Sequence, residues 1–239
     1  MNTKKILSVA AAVLMALCMV PAGLAAEKVT AGQIIAFKAK AKLGDAASQY
    51  NLGLCYLNGW GVAKDMTEAA KLFRKAADKG IDEAQFNLGA CYVNGWGVAK
   101  DMTEAAKWTR KAAEQGHPGA QHNLGLFYAN GWGVEKDMTE AAKWYRKAAE
   151  QGHSGAQFNL GACYANGWGV AKDMTEAAKW TRKAAEQGHS GAQYNWGLFY
   201  ANGWGVVQNR AEAVKWFRKA AKQNFKPAQD VLKKAGLTW

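Results

Sequence analysis

The sequence predicts an all-α solenoid of five 36-residue helical hairpins with a capping helix at each end. Three observations predict it. The segment Asn-Gly-Trp-Gly-Val occurs five times, with Trp60, Trp96, Trp132, Trp168 and Trp204 always 36 residues apart. Each unit holds two stretches of helical periodicity joined by a glycine loop, and the flanking segments read as half-units. A fixed period of this length means stacked supersecondary units, so function is sought in a repetitive surface rather than in one pocket.

Residues 1–26 stand apart from the array. Lys4 and Lys5 give a positive start, Ile6 to Val20 is an apolar stretch too short to span comfortably, and Gly23-Leu24-Ala25-Ala26 offers small residues for cleavage. This is the pattern of a secretory signal peptide. Lipidation would need a small residue before Cys18, where Leu17 stands. A soluble exported chain is expected, periplasmic or secreted, with no transmembrane segment in its mature form. Residues 27–44 follow as an N-terminal capping helix, because Gly32 to Gly44 aligns with a second helix and puts Phe37 in register with Phe73.

The five units run 45–80, 81–116, 117–152, 153–188 and 189–224. The second and fourth differ only at Ile81/His153, Asp82/Ser154, Glu83/Gly155 and Val93/Ala165, which points to duplication of a two-repeat block. In the fourth unit Ala156, Leu160, Cys163 and Tyr164 share one face of a helix over about 154–165. Gly167 supplies its stop. Asp173 caps a second helix, and Glu176 is placed to reach back to that cap. Ala177, Ala178, Trp180, Thr181, Ala184 and Ala185 form the packed face, Lys179, Arg182 and Lys183 face water, and Gly188 ends the helix. Residues 225–239 are a capping half-repeat. There Asp230, Lys233 and Lys234 replace Tyr194, Gly197 and Leu198, as an outer face needs when no further repeat follows, so the array is expected to be complete as written.

The formal net charge of +12 falls to +10 once Lys4 and Lys5 leave with the signal. That excess favours acidic proteins, acidic glycans, wall polymers or lipid headgroups; nucleic acid fits poorly with export. Cys55, Cys91 and Cys163 occupy one repeat position, which Phe127 and Phe199 fill elsewhere, so the site wants an apolar body. Equivalent positions lie about 10 Å apart, beyond the roughly 7 Å Cα limit for a disulfide, and buried free thiols are expected. His117, His153 and His189 are likewise one repeat apart and cannot share a metal ion, and no cofactor is expected. Gly152-His153-Ser154-Gly155-Ala156 nearly spells a nucleophile elbow, but no strand precedes it and its final glycine is Ala.

The pattern Ala120-Gln121-x-Asn123-Leu124-Gly125-x-x-Tyr128-x-x-Gly131-x-Gly133-Val134, followed by Asp137, Ala141, Trp144, Tyr145, Lys147-Ala148-Ala149 and Gly152, resembles the Sel1-like repeat, a relative of the tetratricopeptide repeat. The match runs from about Asp45 to Asn224. The resemblance implies a right-handed superhelix, first helices on its concave side, and work as a non-enzymatic adaptor for a protein or peptide of the cell envelope. Some cysteine-rich exported proteins with this repeat are described as penicillin-binding or weakly β-lactamase-like. They pair cysteines within each repeat, which this chain does not, and no Ser-x-x-Lys stands in a convincing context here. A glycan-binding module is the other alternative.

Candidate contacts follow from equivalent positions. The loop residue between the two glycines is variable and often polar in similar repeats, yet it is Trp60, Trp96, Trp132, Trp168 and Trp204 here. The rings could form a ladder for sugars or apolar side chains, or pack onto the neighbouring unit. Tyr50, Phe86, His122, Phe158 and Tyr194, with Leu54, Ala90, Leu126, Ala162 and Leu198, could line the groove beside Asn51, Asn87, Asn123, Asn159 and Asn195, whose amides suit a peptide backbone. The same residues could instead serve inter-repeat packing and helix-to-helix links. The Lys-x-x-Arg-Lys segments of the second helices read as a solvated face, since Glu68 or its equivalent precedes each first Lys by about one turn.

Overall fold

The computed structural model describes residues 29–239. The expected signal peptide lies outside the described residues. Twelve helices occur among them: α1 (Ala31–Lys42), α2 (Ala46–Asn58), α3 (Met66–Asp78), α4 (Asp82–Asn94), α5 (Met102–Glu114), α6 (Pro118–Asn130), α7 (Met138–Glu150), α8 (Ser154–Asn166), α9 (Met174–Glu186), α10 (Ser190–Asn202), α11 (Arg210–Lys222) and α12 (Lys226–Lys234). Two compact units divide them, the first ending at Lys136 with α1 to α6 and the second, Asp137–Trp239, with α7 to α12. Within each unit every helix packs on the helix before it, so consecutive hairpins stack as the period predicts.

Local chemistry sets the boundaries. Asp65, Asp101, Asp137 and Asp173 each accept two backbone N–H groups at the starts of α3, α5, α7 and α9, and Asn209 accepts one at α11. Glu176 does not reach back to its cap. Its carboxylate accepts from Lys179 and from the Trp180 indole instead, because the Asp173 side chain already serves the first-turn amides and the next turn of α9 brings two better donors alongside. His117, His153 and His189 cap α6, α8 and α10, each Nδ1 accepting an N–H at 3.1 Å.

The two kinds of helix bury differently. Second helices carry an alanine-rich inner face and a Lys/Arg/Glu outer face. First helices are apolar or neutral nearly all round, and α2, α4, α8 and α10 each lie between two second-type helices, which is the environment such a sequence requires. Contact within a hairpin is close: a Cβ on Gly161 of α8 would stand 2.7 Å from Thr181 Oγ1 of α9. The cores are built from Leu54, Phe73 and Leu88 in the first unit and from Ala184, Trp196 and Phe199 in the second. Cys55, Cys91 and Cys163 are buried and form no disulfide, and burial pushes the Cys163 thiol up to about 12.

The caps differ from one another. In α1, Thr30 and Gln33 form a reciprocal capping box, Ile34 and Ala41 are buried, and Phe37 is half-buried against the same cluster. In α12, Ala228 and Leu232 are buried while Asp230, Lys233 and Lys234 stay exposed.

Candidate partner-binding surface

The hairpin loops are fixed by backbone geometry before their tryptophans are considered. Each first helix ends on a left-handed glycine, and the following Trp N–H donates back into the helix, from Trp60 to the Cys55 carbonyl at 2.9 Å and from Trp132 to that of Phe127 at 3.0 Å. The second loop glycine has a different duty. Gly97 and Gly133 have φ near 69° and 66°, and a Cβ on either would overlap the carbonyl of Met66 or Met102 at the start of the preceding second helix. Gly169 and Gly205 meet Met138 and Met174 in the same way. Each of these loops is thus seated against the preceding repeat through backbone alone.

All five loop tryptophans are half-buried. Trp60 and Trp96 pack against the cluster of Phe73, Leu88 and Trp108, and Trp168 and Trp204 against that of Phe199. Trp204 meets Phe199 edge-on, with centroids 6.1 Å apart. These four rings have one packed side, and all five keep some surface in solvent.

The first-helix positions are more closed than the groove expectation requires. Leu54, Ala90, Leu126 and Ala162 are at most 3 % exposed, so they line no open groove. Tyr50 and Phe86 are buried too. Phe86 stacks on the His117 imidazole at 4.6 Å and Phe158 on His189 at 4.8 Å, each reaching the cap of the next first helix. Tyr194 tilts against Phe217 and Phe225. His122, Phe158, Tyr194 and Leu198 remain half-buried. Among the amides, Asn87, Asn159 and Asn195 are buried, Asn87 donating to the Tyr50 hydroxyl at 3.4 Å, whereas Asn51 and Asn123 keep partial exposure.

The second-helix cations are tied into the fold. Lys107, Lys143, Lys179 and Lys215 pair with the glutamate three residues before them, at 2.5 to 2.9 Å. Lys107 holds the Glu104 carboxyl below its usual range. Lys111 sits 4.1 Å over the Trp108 ring and Lys147 4.1 Å over Trp144. Arg74 and Arg110 donate to the hydroxyls of Tyr92 and Tyr128 on the next first helix, the latter at 2.7 Å, and Arg146 does the same to Tyr164. The constant 18-residue spacing from Arg to Tyr is in the sequence, and sequence reasoning did not use it. A shallow groove of about 330 Å³ between α5 and the Gly133-Val134 loop is lined by Lys107, Arg110 and Lys111, all three already engaged in these contacts.

No group of three metal-ligating side chains comes together among the described residues. Burial holds the His117 and His189 imidazoles below the ordinary histidine value, with Asp82 opposing the effect at His117.

The Sel1 repeat family model matches residues 46–81, 82–117, 118–153, 154–189 and 190–225, most of the chain. The chain belongs to the Sel1 repeat family. Its matched units begin one residue later than those drawn from the sequence. This Sel1 repeat protein is similar to the crystal structure of a protective antigen present in uropathogenic Escherichia coli strains with an SLR fold: 38 % identity, TM-score 0.79, covering 82 % of this chain and 42 % of that one. It is also similar to a Sel1 repeat protein from Oxalobacter formigenes, at 37 % identity and TM-score 0.75, covering 80 % of this chain and 79 % of that one. The chain therefore spans less than half the length of the first of these. No curated protein matches it. Sel1 repeat proteins are generally protein-interaction scaffolds.

Proposed function

We propose that this Sel1 repeat protein is an exported scaffold, periplasmic or secreted, that holds a protein or peptide of the cell envelope through its loop tryptophans. The observation that carries this reading is the state of the rings. Each is positioned by a loop with little freedom and is half-buried, yet each keeps part of its surface in solvent. An aromatic ring fixed in that way offers contact area with little side-chain entropy left to lose on binding. The half-buried His122, Phe158 and Tyr194 add further aromatic surface on the first helices. Export is supported by the residue pattern of 1–26, and the excess of cations in the processed chain favours an acidic partner.

The test pairs capture with a double variant. The processed chain and its Trp96→Ala/Trp132→Ala form are used as bait on an envelope extract, with helicity compared by circular dichroism. Partners retained by the parent and lost by the folded variant are the expected result. Equal capture by both would remove the tryptophans from the reading. Amino-terminal sequencing of the chain from fractionated cells tests export: processing near Ala26 outside the cytoplasm is expected, and an unprocessed cytoplasmic chain would overturn it.

A further inference from the structure

The outer stripe of the second helices is lysine in five repeats and apolar in α1. Lys71 and Lys75 of α3, and their equivalents in α5, α7, α9 and α11, are exposed. With Phe37 in register with Phe73, Ile35 and Ala39 stand at those two positions in α1, and Leu43 follows one turn on. Ile35 is 69 % exposed and Leu43 88 %, two of the few large apolar side chains in the described residues left open in this way. A terminal repeat ordinarily presents a polar outer face, as α12 does, so the α1 surface calls for a partner.

The arrangement around the stripe says what kind. At about 100° per residue, Ile35, Ala36, Ala39 and Leu43 fall within one arc of roughly a quarter turn, opposite the buried Ile34 and Ala41. Lys38 and Lys42 flank that arc on one side and Lys40 on the other. All three are exposed, and α1 contains no acidic residue. A convex apolar stripe between rows of lysine is the form of a helix that lies in a lipid interface, apolar side chains among the headgroups and ammonium groups at the phosphates. A second copy is a poor occupant. Two α1 faces would bring lysines together, and the outer face of α12 is also basic through Lys226, Lys233 and Lys234. With processing after Ala26, the chain ahead of Val29 is too short to cover the stripe.

We propose that α1 is a membrane-surface contact which seats Ile35 and Leu43 in the headgroup region of an anionic bilayer, with Lys38, Lys40 and Lys42 at lipid phosphates. No helix among the described residues is long and apolar enough to cross a membrane, so this is attachment from one side. It is weak and reversible, since only two large apolar side chains enter.

Co-sedimentation with vesicles tests it, comparing phosphatidylglycerol-containing vesicles with pure phosphatidylcholine. The processed chain, residues 27–239, is expected to bind the anionic vesicles more tightly. The decisive variant is Ile35→Lys/Leu43→Lys, which restores the residue type of the other repeats and adds two positive charges. Loss of the apolar contact lowers binding about tenfold, whereas attraction by net charge alone would raise it. Both positions are solvent-exposed, so the variant keeps its helicity, checked by circular dichroism. Lys38→Gln/Lys42→Gln is expected to weaken binding a few-fold on anionic vesicles only. Equal or tighter binding by the double-lysine variant overturns the proposal, as does failure of the parent chain to bind anionic vesicles. The latter result would leave the stripe to an acidic helix of a protein partner.

Discussion

Apart from Trp196 on α10, tryptophan stands in two places in the repeats, in the hairpin loop and on the second helix, and the surroundings differ for Trp108, Trp144 and Trp180, though Trp216 of α11 is half-buried like the loop rings. Trp108, Trp144 and Trp180 are 2 to 8 % exposed. Their own helix supplies the cover: Glu104 and Glu176 accept the indole N–H of Trp108 and Trp180 at 3.1 Å from one turn before, and Lys111, Lys147 and Lys183 lie over the rings from the turn after. A loop ring has no such neighbours, because the left-handed glycines on either side end the helical spacing that would place them. Trp60, Trp96, Trp132, Trp168 and Trp204 are therefore covered only by what the stack brings to them, and the cover is partial. Repetition alone did not tell the two apart; in the three interior second helices local helical geometry does.

The sharpest way to break that comparison is to truncate one ring of each kind. Trp108→Ala empties a closed site and is expected to cost about 3 to 5 kcal/mol, whereas Trp132→Ala, half open already, should cost about 1 to 2 kcal/mol, both read by urea unfolding. Similar losses would make the loop ring a core residue and remove its surplus for a partner.

The next effect sharpens the loop side. Gly133→Ala imposes both a left-handed residue and an overlap with the Met102 backbone, and a loss of about 3 kcal/mol is expected. Gly116→Ala, at φ 101° with nothing within 4 Å of its Cβ, isolates the conformational part and should cost about 1 to 2 kcal/mol. Equal losses would mean that the loop can withdraw from the preceding helix.

The smallest effect lies at the junction, where a second helix hands over to the next first helix. His117 and His189 are held below the ordinary histidine value by burial, so the unfolded chain takes up protons first as the pH falls. Stability is complete above about pH 6.5 and declines as the pH drops toward the folded-state values, because a protonated Nδ1 cannot accept the Ala120 or Ala192 amide. The cap lost is worth about 1 kcal/mol at each site. His117→Asn/His189→Asn keeps a cap without titrating there, and its unfolding midpoint should depend less on pH between 7 and 5. An unchanged profile would refute this assignment.

Much of the local structure was legible in the sequence. The Asp caps, the glycine stops and the Cys/Phe position could be read because each depends on neighbours within a turn or on simple volume. Glu176 was misread since a capping box and an outward Glu–Lys–Trp cluster share the same short spacing. The choice between groove lining and inter-repeat packing stayed open for a different reason. First helices are apolar nearly all round, so no pattern in Leu54, Ala90, Leu126 or Ala162 marks which side the stack will close. The Arg110–Tyr128 link needed the stacking register to be recognised as a contact.

By itself the sequence determined the repeat length, the helix boundaries, the family and the all-helical class, because these follow from periodicity and from interactions among residues close in the chain. The tertiary structure decided how much of each repeated side chain remains for a partner. That quantity depends on how neighbouring helices and loops seat on one another: it closed the positions around Leu126, left the loop tryptophans half open, and exposed Ile35 and Leu43 on α1, which lacks the lysine stripe of the five second helices.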